Sequence, residues 1–259
     1  MKISILVDNT PGLTTKAEFG LSYFIEHSNH TILFDAAQTD LFLANAKIMG
    51  LDVTYTDYIV LSHGHFDHGD GLENLDGGTL VCHPGSFAKR YGKNSNRYIG
   101  LKLSRDDMAN RFNLIETDKP FNLFDGAYFL GEIPRLSEFE SQTTPFAFDD
   151  ETPDFVMDDS ALAFTTEKGL FVVTGCGHAG IINTLEYAKA VTGIDKIYGI
   201  IGGFHLKENN RQTKETIAYL KANSVERIYP SHCTALPALA AFHKEFSISQ
   251  IKTGEVINL

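Results

Sequence analysis

The sequence YIVLSHGHFDHGDG, residues 58–71, joins an apolar run typical of a buried strand to three histidines and two aspartates. Side chains of an extended segment alternate between two faces, so His63 and His65 point the same way and their imidazoles can share one ion. Asp67 and His68 follow the turn and can face a second position nearby. Imidazole and carboxylate are the usual ligands of zinc, and they also suit iron or manganese. The stretch therefore predicts a metal site at the end of this strand.

The alternative for this stretch is a polar loop with solvated histidines, which is the ordinary explanation for a single histidine. Three histidines and an aspartate within six residues, behind an apolar strand, are a different case. Without a cation they would crowd like charges or leave buried polar atoms unpaired, and both are costly. Because a bound dication removes both costs, we favour the metal site.

Apolar runs alternate with amphipathic segments along the rest of the chain, which predicts an α/β fold. We predict strands at residues 2–7, 31–34, 58–61, 79–82, 127–130, 160–165, 170–174, 196–201 and 227–229, the sixth and seventh forming a hairpin. We predict helices that begin after Thr39 or Asp40, after Ser104, and at residues 181–191, 212–222 and 235–242.

Metal-binding residue types follow four of the predicted strands. His63 follows one of them, Cys176 and His178 follow another, and His205 and His232 follow two more in the motifs IIGGFHL and IYPSHCT. Ligands of α/β proteins collect at the carboxyl ends of strands. The sequence therefore predicts that these side chains converge.

Composition excludes several classes of protein. The 259 residues suffice for one large α/β domain or two small ones, and 43% apolar content supports a sizeable core. A net charge of −11 disfavours nucleic acid as a partner, and no apolar run is long enough to cross a membrane. The start of the chain does not resemble a secretory signal, and three widely spaced cysteines argue against a disulfide framework. We therefore expect a cytoplasmic protein.

Residues 137–159 form the most biased segment, with eight acidic residues, two prolines and neither lysine nor arginine. We interpret this segment as a surface flap within a lid or insertion at about residues 85–159. A flap of this kind that closes over the site would be mobile.

The spacing HGHFDH resembles the His-x-His-x-Asp-His signature of the metallo-β-lactamase superfamily. TILFDAA resembles the strand that ends in the family's buried aspartate, here Asp35, and TGCGHAG and SHCT stand where later ligand motifs are expected. LVDN, GEIPR, GCGHAGIINT, GGFHL and SHCT resemble one branch, named after a synthase that joins a dihydropterin to a ribofuranosyl-aminobenzene phosphate in methanopterin synthesis. The resemblance implies a single domain over residues 1–259. It also implies a four-layer αβ/βα sandwich of two mixed sheets, with the metal site at one edge between its halves.

The family pattern implies how the ligands divide between two ions. His63 and His65 would bind metal 1, Asp67 and His68 would bind metal 2, and His232 would complete metal 2. The resemblance thus implies two divalent ions, most simply zinc, with manganese or iron as alternatives.

The remaining ligands depart from the family pattern. Cys176 stands where a bridging acid or thiol is expected, although it can also be a small buried filler. His178 can supply the third histidine of metal 1, and Glu132 stands near the ordinary position of that histidine. His205 is a candidate for substrate or phosphate binding, or for a hydrogen bond to a metal ligand. Arg135 can pair with a substrate phosphate or with the acidic segment.

Two adjacent dications clamp oxygens and lower the pKa of bound water toward about 7. The first hypothesis is therefore a dinuclear hydrolase that uses metal-activated hydroxide on a small anionic ester or phosphoester, with Asp67 orienting the hydroxide or accepting its proton. The second is a pterin-type transferase that condenses a dihydropterin diphosphate with an aminobenzene ribofuranosyl phosphate. The third is a member that binds metal and ligand without turnover. The substrate and the oligomeric state stay open.

Overall fold

A computed structural model describes all 259 residues and divides them into two compact units. Unit 1 comprises residues 1–117, 145–153 and 251–259, and unit 2 comprises residues 118–144 and 154–250. Each unit has its own buried apolar core. Whether residues 1–259 act as one domain with an insertion at about 85–159 stays a prediction.

The elements alternate as the sequence predicts. The strands are β1 (Lys2–Val7), β2 (Ser22–His27), β3 (His30–Phe34), β4 (Tyr58–Val60), β5 (Thr79–Cys82), β6 (Arg90–Gly92), β7 (Asn113–Glu116), β8 (Phe121–Phe124), β9 (Ala127–Phe129), β10 (Phe146–Phe148), β11 (Pro153–Asp154), β12 (Ala161–Thr166), β13 (Gly169–Thr174), β14 (Ile197–Gly203), β15 (Arg227–Ser231) and β16 (Val256–Asn258). The α-helices are α1 (Leu41–Ile48), α2 (Phe66–Gly69), α3 (Arg105–Arg111), α4 (Ile181–Thr192), α5 (Arg211–Ala222) and α6 (Leu236–Phe246). No helix combines the length and the apolar character that crossing a bilayer requires.

Unit 1 is built on a seven-stranded mixed sheet in the order β16-β1-β2-β3-β4-β5-β7. Its first part is antiparallel, whereas β3, β4, β5 and β7 are parallel to one another. The core on one side of the sheet includes Leu6, Leu33, Phe42 and Leu80, and Phe42 comes from α1. Because β3 and β4 are parallel neighbours, the residues that follow them, Asp35 and His63, emerge at the same edge.

Unit 2 is built on a six-stranded mixed sheet in the order β15-β14-β13-β12-β9-β8. The predicted hairpin is confirmed, since β12 and β13 pair antiparallel from Ala161↔Thr174 to Thr166↔Gly169. Strands β13, β14 and β15 are parallel, so the motifs that follow them emerge at one edge. The core includes Val172 and Ile200 of the sheet and Leu185, Leu220 and Phe242 of the helices.

Several local predictions are confirmed in detail. Ser104 caps α3 and forms a reciprocal capping box with Asp107. Thr39, rather than Asp40, supplies the side-chain oxygen that accepts a hydrogen bond from the first amide of α1, at 3.1 Å. Strand β2 was not predicted, because its alternating stretch SYFIEH is polar at both ends.

Candidate metal centre

In unit 1, His63 and His65 lie on the turn between β4 and α2 and are almost fully buried. His63 Nε2 lies 3.0 Å from His65 Nδ1. Two nitrogens bound to one tetrahedral zinc lie roughly 3.3 Å apart, given Zn–N bonds of about 2.0–2.1 Å. The turn requires Gly64, because a Cβ there would lie 1.7 Å from the Ser86 carbonyl oxygen. The two imidazoles therefore lie together, and their sharing of one ion stays a prediction.

Asp35 fixes the neighbouring side chains from the end of β3. It is 1% exposed and has a left-handed φ of 55°. Its carboxylate accepts hydrogen bonds from the Ser62 amide, the Ser62 hydroxyl and His68 Nδ1, each at 2.7 Å. The Ser62 oxygen in turn lies 2.9 Å from His63 Nδ1. Asp35 therefore holds His68 directly and His63 through Ser62, and leaves the Nε2 atoms of both rings facing away from it.

The second predicted pair of ligands in unit 1 lies beside the first. His68 and Asp67 are 0% and 5% exposed, and His68 Nε2 lies 3.8 Å from Asp67 Oδ2. The His63 and His68 ring centroids are 4.2 Å apart. Phe146 of β10 packs edge-on against the His65 ring with centroids 4.9 Å apart, so the acidic segment contacts this cluster. The mobility of the segment stays a prediction.

In unit 2, donor atoms gather at the ends of β13 and β15. Cys176, His232 and Cys233 offer a thiol, an imidazole nitrogen and a second thiol, all within 4.8 Å of one another. They are 4%, 7% and 7% exposed. Cys176 and His232 were predicted from the sequence as ligands, whereas Cys233 was not. The rings of His178 and His205, which follow β13 and β14, have centroids 4.3 Å apart.

Buried acidic residues fix the loop that carries Cys176 and His178. Asp159 accepts a hydrogen bond from the Ala179 amide at 2.8 Å. Burial raises the pKa of Asp159 to about 7, although this hydrogen bond and the charge of Arg135 oppose the shift. The contact of Asp159 with this loop was not predicted, because the sequence places Asp159 only in the acidic flap.

Glu140 belongs to the same acidic segment and caps α4. Its carboxylate accepts hydrogen bonds from the amides of Ile182, at 3.0 Å, and Asn183, at 2.9 Å. Burial raises the pKa of Glu140, and the backbone hydrogen bonds partly offset this. The acidic segment is therefore anchored at Glu140.

Two other candidate residues lie close together in unit 2. Arg135 is partly buried and donates hydrogen bonds to Ser141 Oγ at 2.9 Å and to the Val156 carbonyl oxygen at 2.8 Å. Burial lowers the pKa of Arg135, although nearby carboxylates, Asp159 first, oppose the shift. Glu132 is exposed. The contacts of Arg135 are structural, and its role toward a substrate stays a prediction.

The donor set fits divalent metal ions. Unit 1 gathers buried imidazoles with a carboxylate, and unit 2 gathers a buried imidazole with two thiols; these are the ligands that zinc prefers. Two nitrogens in unit 1 lie 3.0 Å apart, close to the separation of atoms on one ion, and Asp35 orients two of the rings. A bound cation would also offset the cost of burying these polar atoms.

Comparison with known proteins agrees with this chemistry. The sequence profile of the Metallo-beta-lactamase superfamily matches residues 15–79. The chain is 33% identical over 265 residues to the uncharacterized protein MJ0448 of Methanocaldococcus jannaschii, covering 99% of this chain and 100% of the relative. It is 31% identical over 284 residues to 7,8-dihydropterin-6-methyl-4-(beta-D-ribofuranosyl)-aminobenzene-5'-phosphate synthase of the same organism, covering 99% and 96%.

Solved structures of similar fold include a metal-dependent hydrolase of the same superfamily. Tm1679, described as a metal-dependent hydrolase of the beta-lactamase superfamily, superimposes with a TM-score of 0.89 at 26% identity, covering 100% of this chain and 99% of its own. A diphosphatase from the PhnP family has a TM-score of 0.59 at 14% identity, covering 100% and 97%, and shares the fold. The predicted fold class, mixed sheets with helices, is confirmed. The chain belongs to the metallo-β-lactamase superfamily, in the branch that includes the dihydropterin synthase.

Proposed function

We propose that this protein is a dinuclear metal-dependent hydrolase that cleaves a small anionic ester or phosphoester. The observation that carries the proposal is the pre-oriented cluster in unit 1, in which Asp35 holds His68, and Ser62 links Asp35 to His63. Buried imidazoles held in this way are typical of metal ligands, whose second ring nitrogen is fixed by a hydrogen bond. The similarity to Tm1679, described as a metal-dependent hydrolase, supports the same class of reaction.

The proposed ligand sets follow from the family pattern. We assign His63, His65 and His178 to one ion, and Asp67, His68 and His232 to the other. Cys176 is the proposed shared ligand. The thiol among the donors favours zinc over manganese or iron.

The chemistry that bound ions supply is a lowered pKa of coordinated water and charge that stabilises an anionic oxygen. Asp67 would orient the attacking water and accept its proton, since its carboxylate lies beside His68 at the start of α2. His205 is the proposed contact for the anionic group of the substrate, and its ring packs on the His178 ring. Arg135 is a second candidate for this role.

The second candidate function is a pterin-type transferase. The observation that favours it is 31% identity, over 99% of this chain, to a protein named as the dihydropterin synthase. The same ions would hold the diphosphate leaving group while an organic nucleophile attacks. A condensation assay with dihydropterin diphosphate and the aminobenzene ribofuranosyl phosphate separates the two functions, because only the transferase gives a coupled product.

The substrate class and compartment are also proposals. A net charge of −11 supports a small molecule rather than nucleic acid as the partner. We propose a cytoplasmic location, because the three cysteines form no disulfide.

Metal analysis tests the central proposal. Protein purified without chelators should hold about two ions per chain, and His63→Ala and His232→Ala should hold less than about one. His30→Ala is the matched control, because His30 is a partly exposed histidine beside Asp57, away from the cluster, and should leave the metal content unchanged. A panel of phosphodiester, phosphomonoester and ester substrates then defines the activity. Wild-type protein without metal, or variants with the full content, would refute the proposal.

A further inference from the structure

The end of β14 lets two cysteines on its two neighbouring strands approach each other. Strand β14 pairs with β13 at Gly202↔Thr174 and with β15 at Gly203↔Ser231. A Cβ at Gly203 would lie 2.5 Å from Cys233 Sγ and 3.2 Å from Cys176 Cα. Because Gly203 has no side chain, the Cys233 thiol occupies that space and reaches toward Cys176.

The backbone at His232 directs two successive side chains to one place. Adjacent side chains in a strand point to opposite faces, so His232 and Cys233 would ordinarily diverge. His232 has a φ of 48°, in the left-handed region, which breaks this alternation directly after β15. The resulting turn places the His232 ring nitrogen and Cys233 Sγ within 4.8 Å of each other and of Cys176 Sγ.

The turn that presents Cys233 is firmly held. The Thr234 hydroxyl accepts a hydrogen bond from the Phe204 amide at 3.0 Å, and the Ala235 amide donates to the Leu206 carbonyl oxygen at 2.9 Å. Lys207 Nζ donates to the Cys233 carbonyl oxygen at 2.9 Å, which brings a positive charge near the thiol. A thiol held in this way is pre-positioned as a metal ligand.

We propose that Cys233 is a further metal ligand, so that Cys176, His232 and Cys233 bind one thiophilic divalent cation of the zinc class. Donor atoms on one tetrahedral zinc lie on the order of 3.5–3.8 Å apart, given Zn–S and Zn–N bonds of about 2.3 and 2.0–2.1 Å. The present separations, all within 4.8 Å, need only small shifts to reach this geometry. The inference rests on the proposed metal site, because that site shares Cys176 and His232, and it adds that two thiolates select zinc over manganese.

Cobalt substitution tests this ligand directly. Thiolate bound to Co²⁺ gives a charge-transfer absorption in the near ultraviolet whose intensity follows the number of Co–S bonds. Cys233→Ser should lose about one third to one half of this absorption, depending on whether Cys176 bridges two ions, and its preference for zinc over manganese should fall. Cys82→Ser is the matched control, because Cys82 is a buried cysteine at the end of β5 in unit 1 and should keep the full absorption.

A second measurement needs no variant, in case Cys233→Ser does not fold. X-ray absorption at the zinc edge of the wild-type protein should show sulfur from two cysteines. Full cobalt absorption in Cys233→Ser, or zinc bound to sulfur from a single cysteine, would overturn the inference. If the protein still holds about two ions per chain in that case, the proposed function survives. A wild-type protein that binds no metal would overturn both.

Discussion

Asp35→Asn is the sharpest test of how unit 1 holds its histidines. The carboxylate accepts three hydrogen bonds, from the Ser62 amide, the Ser62 hydroxyl and His68 Nδ1, each at 2.7 Å. An asparagine side chain keeps one acceptor oxygen, but its NH2 group replaces the second carboxylate oxygen. That NH2 group is a donor and would face another donor. Leaving one buried donor unsatisfied costs about 1–3 kcal/mol, and losing a hydrogen bond to a charged group costs about 1.5–3 kcal/mol. We therefore expect Asp35→Asn to lower the free energy of unfolding by about 2.5–6 kcal/mol, the sum of the two costs.

The assay is urea unfolding of metal-free protein, followed by zinc titration of the folded variant. Zinc affinity should fall by about 10–100-fold, because His68 loses the hydrogen bond that orients its ring. Asp52→Asn is the control, since Asp52 accepts hydrogen bonds from the Thr54 amide and hydroxyl in an exposed turn. Asp52→Asn should leave both the free energy of unfolding and the zinc affinity nearly unchanged. An Asp35→Asn protein with wild-type stability and wild-type zinc affinity would refute the reasoning.

Three further predictions use different parts of the chain. Gly64→Ala should lower the melting temperature and the metal content together, because the added Cβ meets backbone at the Ser86 carbonyl oxygen, 1.7 Å away; a variant as stable as wild type would count against the close approach. Glu140 has a raised pKa in the folded protein, so its buried carboxyl is penalised once it ionises. The stability of wild type relative to Glu140→Gln should therefore be greatest below the unfolded pKa of about 4.3 and should fall as pH rises through the folded pKa. Urea unfolding midpoints of both proteins across that pH range measure this stability difference. A stability advantage of wild type that grows with pH would contradict the prediction. Zinc at about 100 times its Kd should stabilise metal-free protein by about 2.7 kcal/mol, and a chelator should reverse the gain in melting temperature; a melting temperature indifferent to zinc would argue against the metal site.

The part of the site that the sequence predicts well is local. His63, His65, Asp67 and His68 fall within six residues after a strand, so their proximity follows from the period of the strand and the turn after it. The ligands in unit 2 are predicted less directly, from the rule that residues after parallel strands emerge at one edge. That rule places Cys176 correctly near His232.

Residues whose roles depend on distant partners could not be predicted. Glu140 caps a helix that starts about forty residues later, and Asp159 binds the Ala179 amide, so neither role has a sequence spacing that reveals it. Cys233 was missed for a different reason. Strand alternation places it opposite His232, and only the left-handed backbone at His232, which no local pattern announces, reverses that direction. The short edge strand β16 was missed because three residues give too little pattern.

The glycine at the end of β14, Gly203, affects how a mutational scan of this protein would be interpreted. Residue 203 has no side chain, and the Cβ of any replacement would lie 2.5 Å from the Cys233 sulfur and 2.6 Å from the Gly175 carbonyl oxygen. In a mutational scan, substitutions at residue 203 would therefore abolish function as substitutions of a catalytic residue do. Gly203 itself takes part in no chemistry and only leaves space for its neighbours. Gly203→Ala should therefore stay destabilised even when Cys233→Ala removes the sulfur, because the Gly175 carbonyl oxygen belongs to the backbone. Full recovery of stability in that double variant would show that the sulfur alone occupies the space.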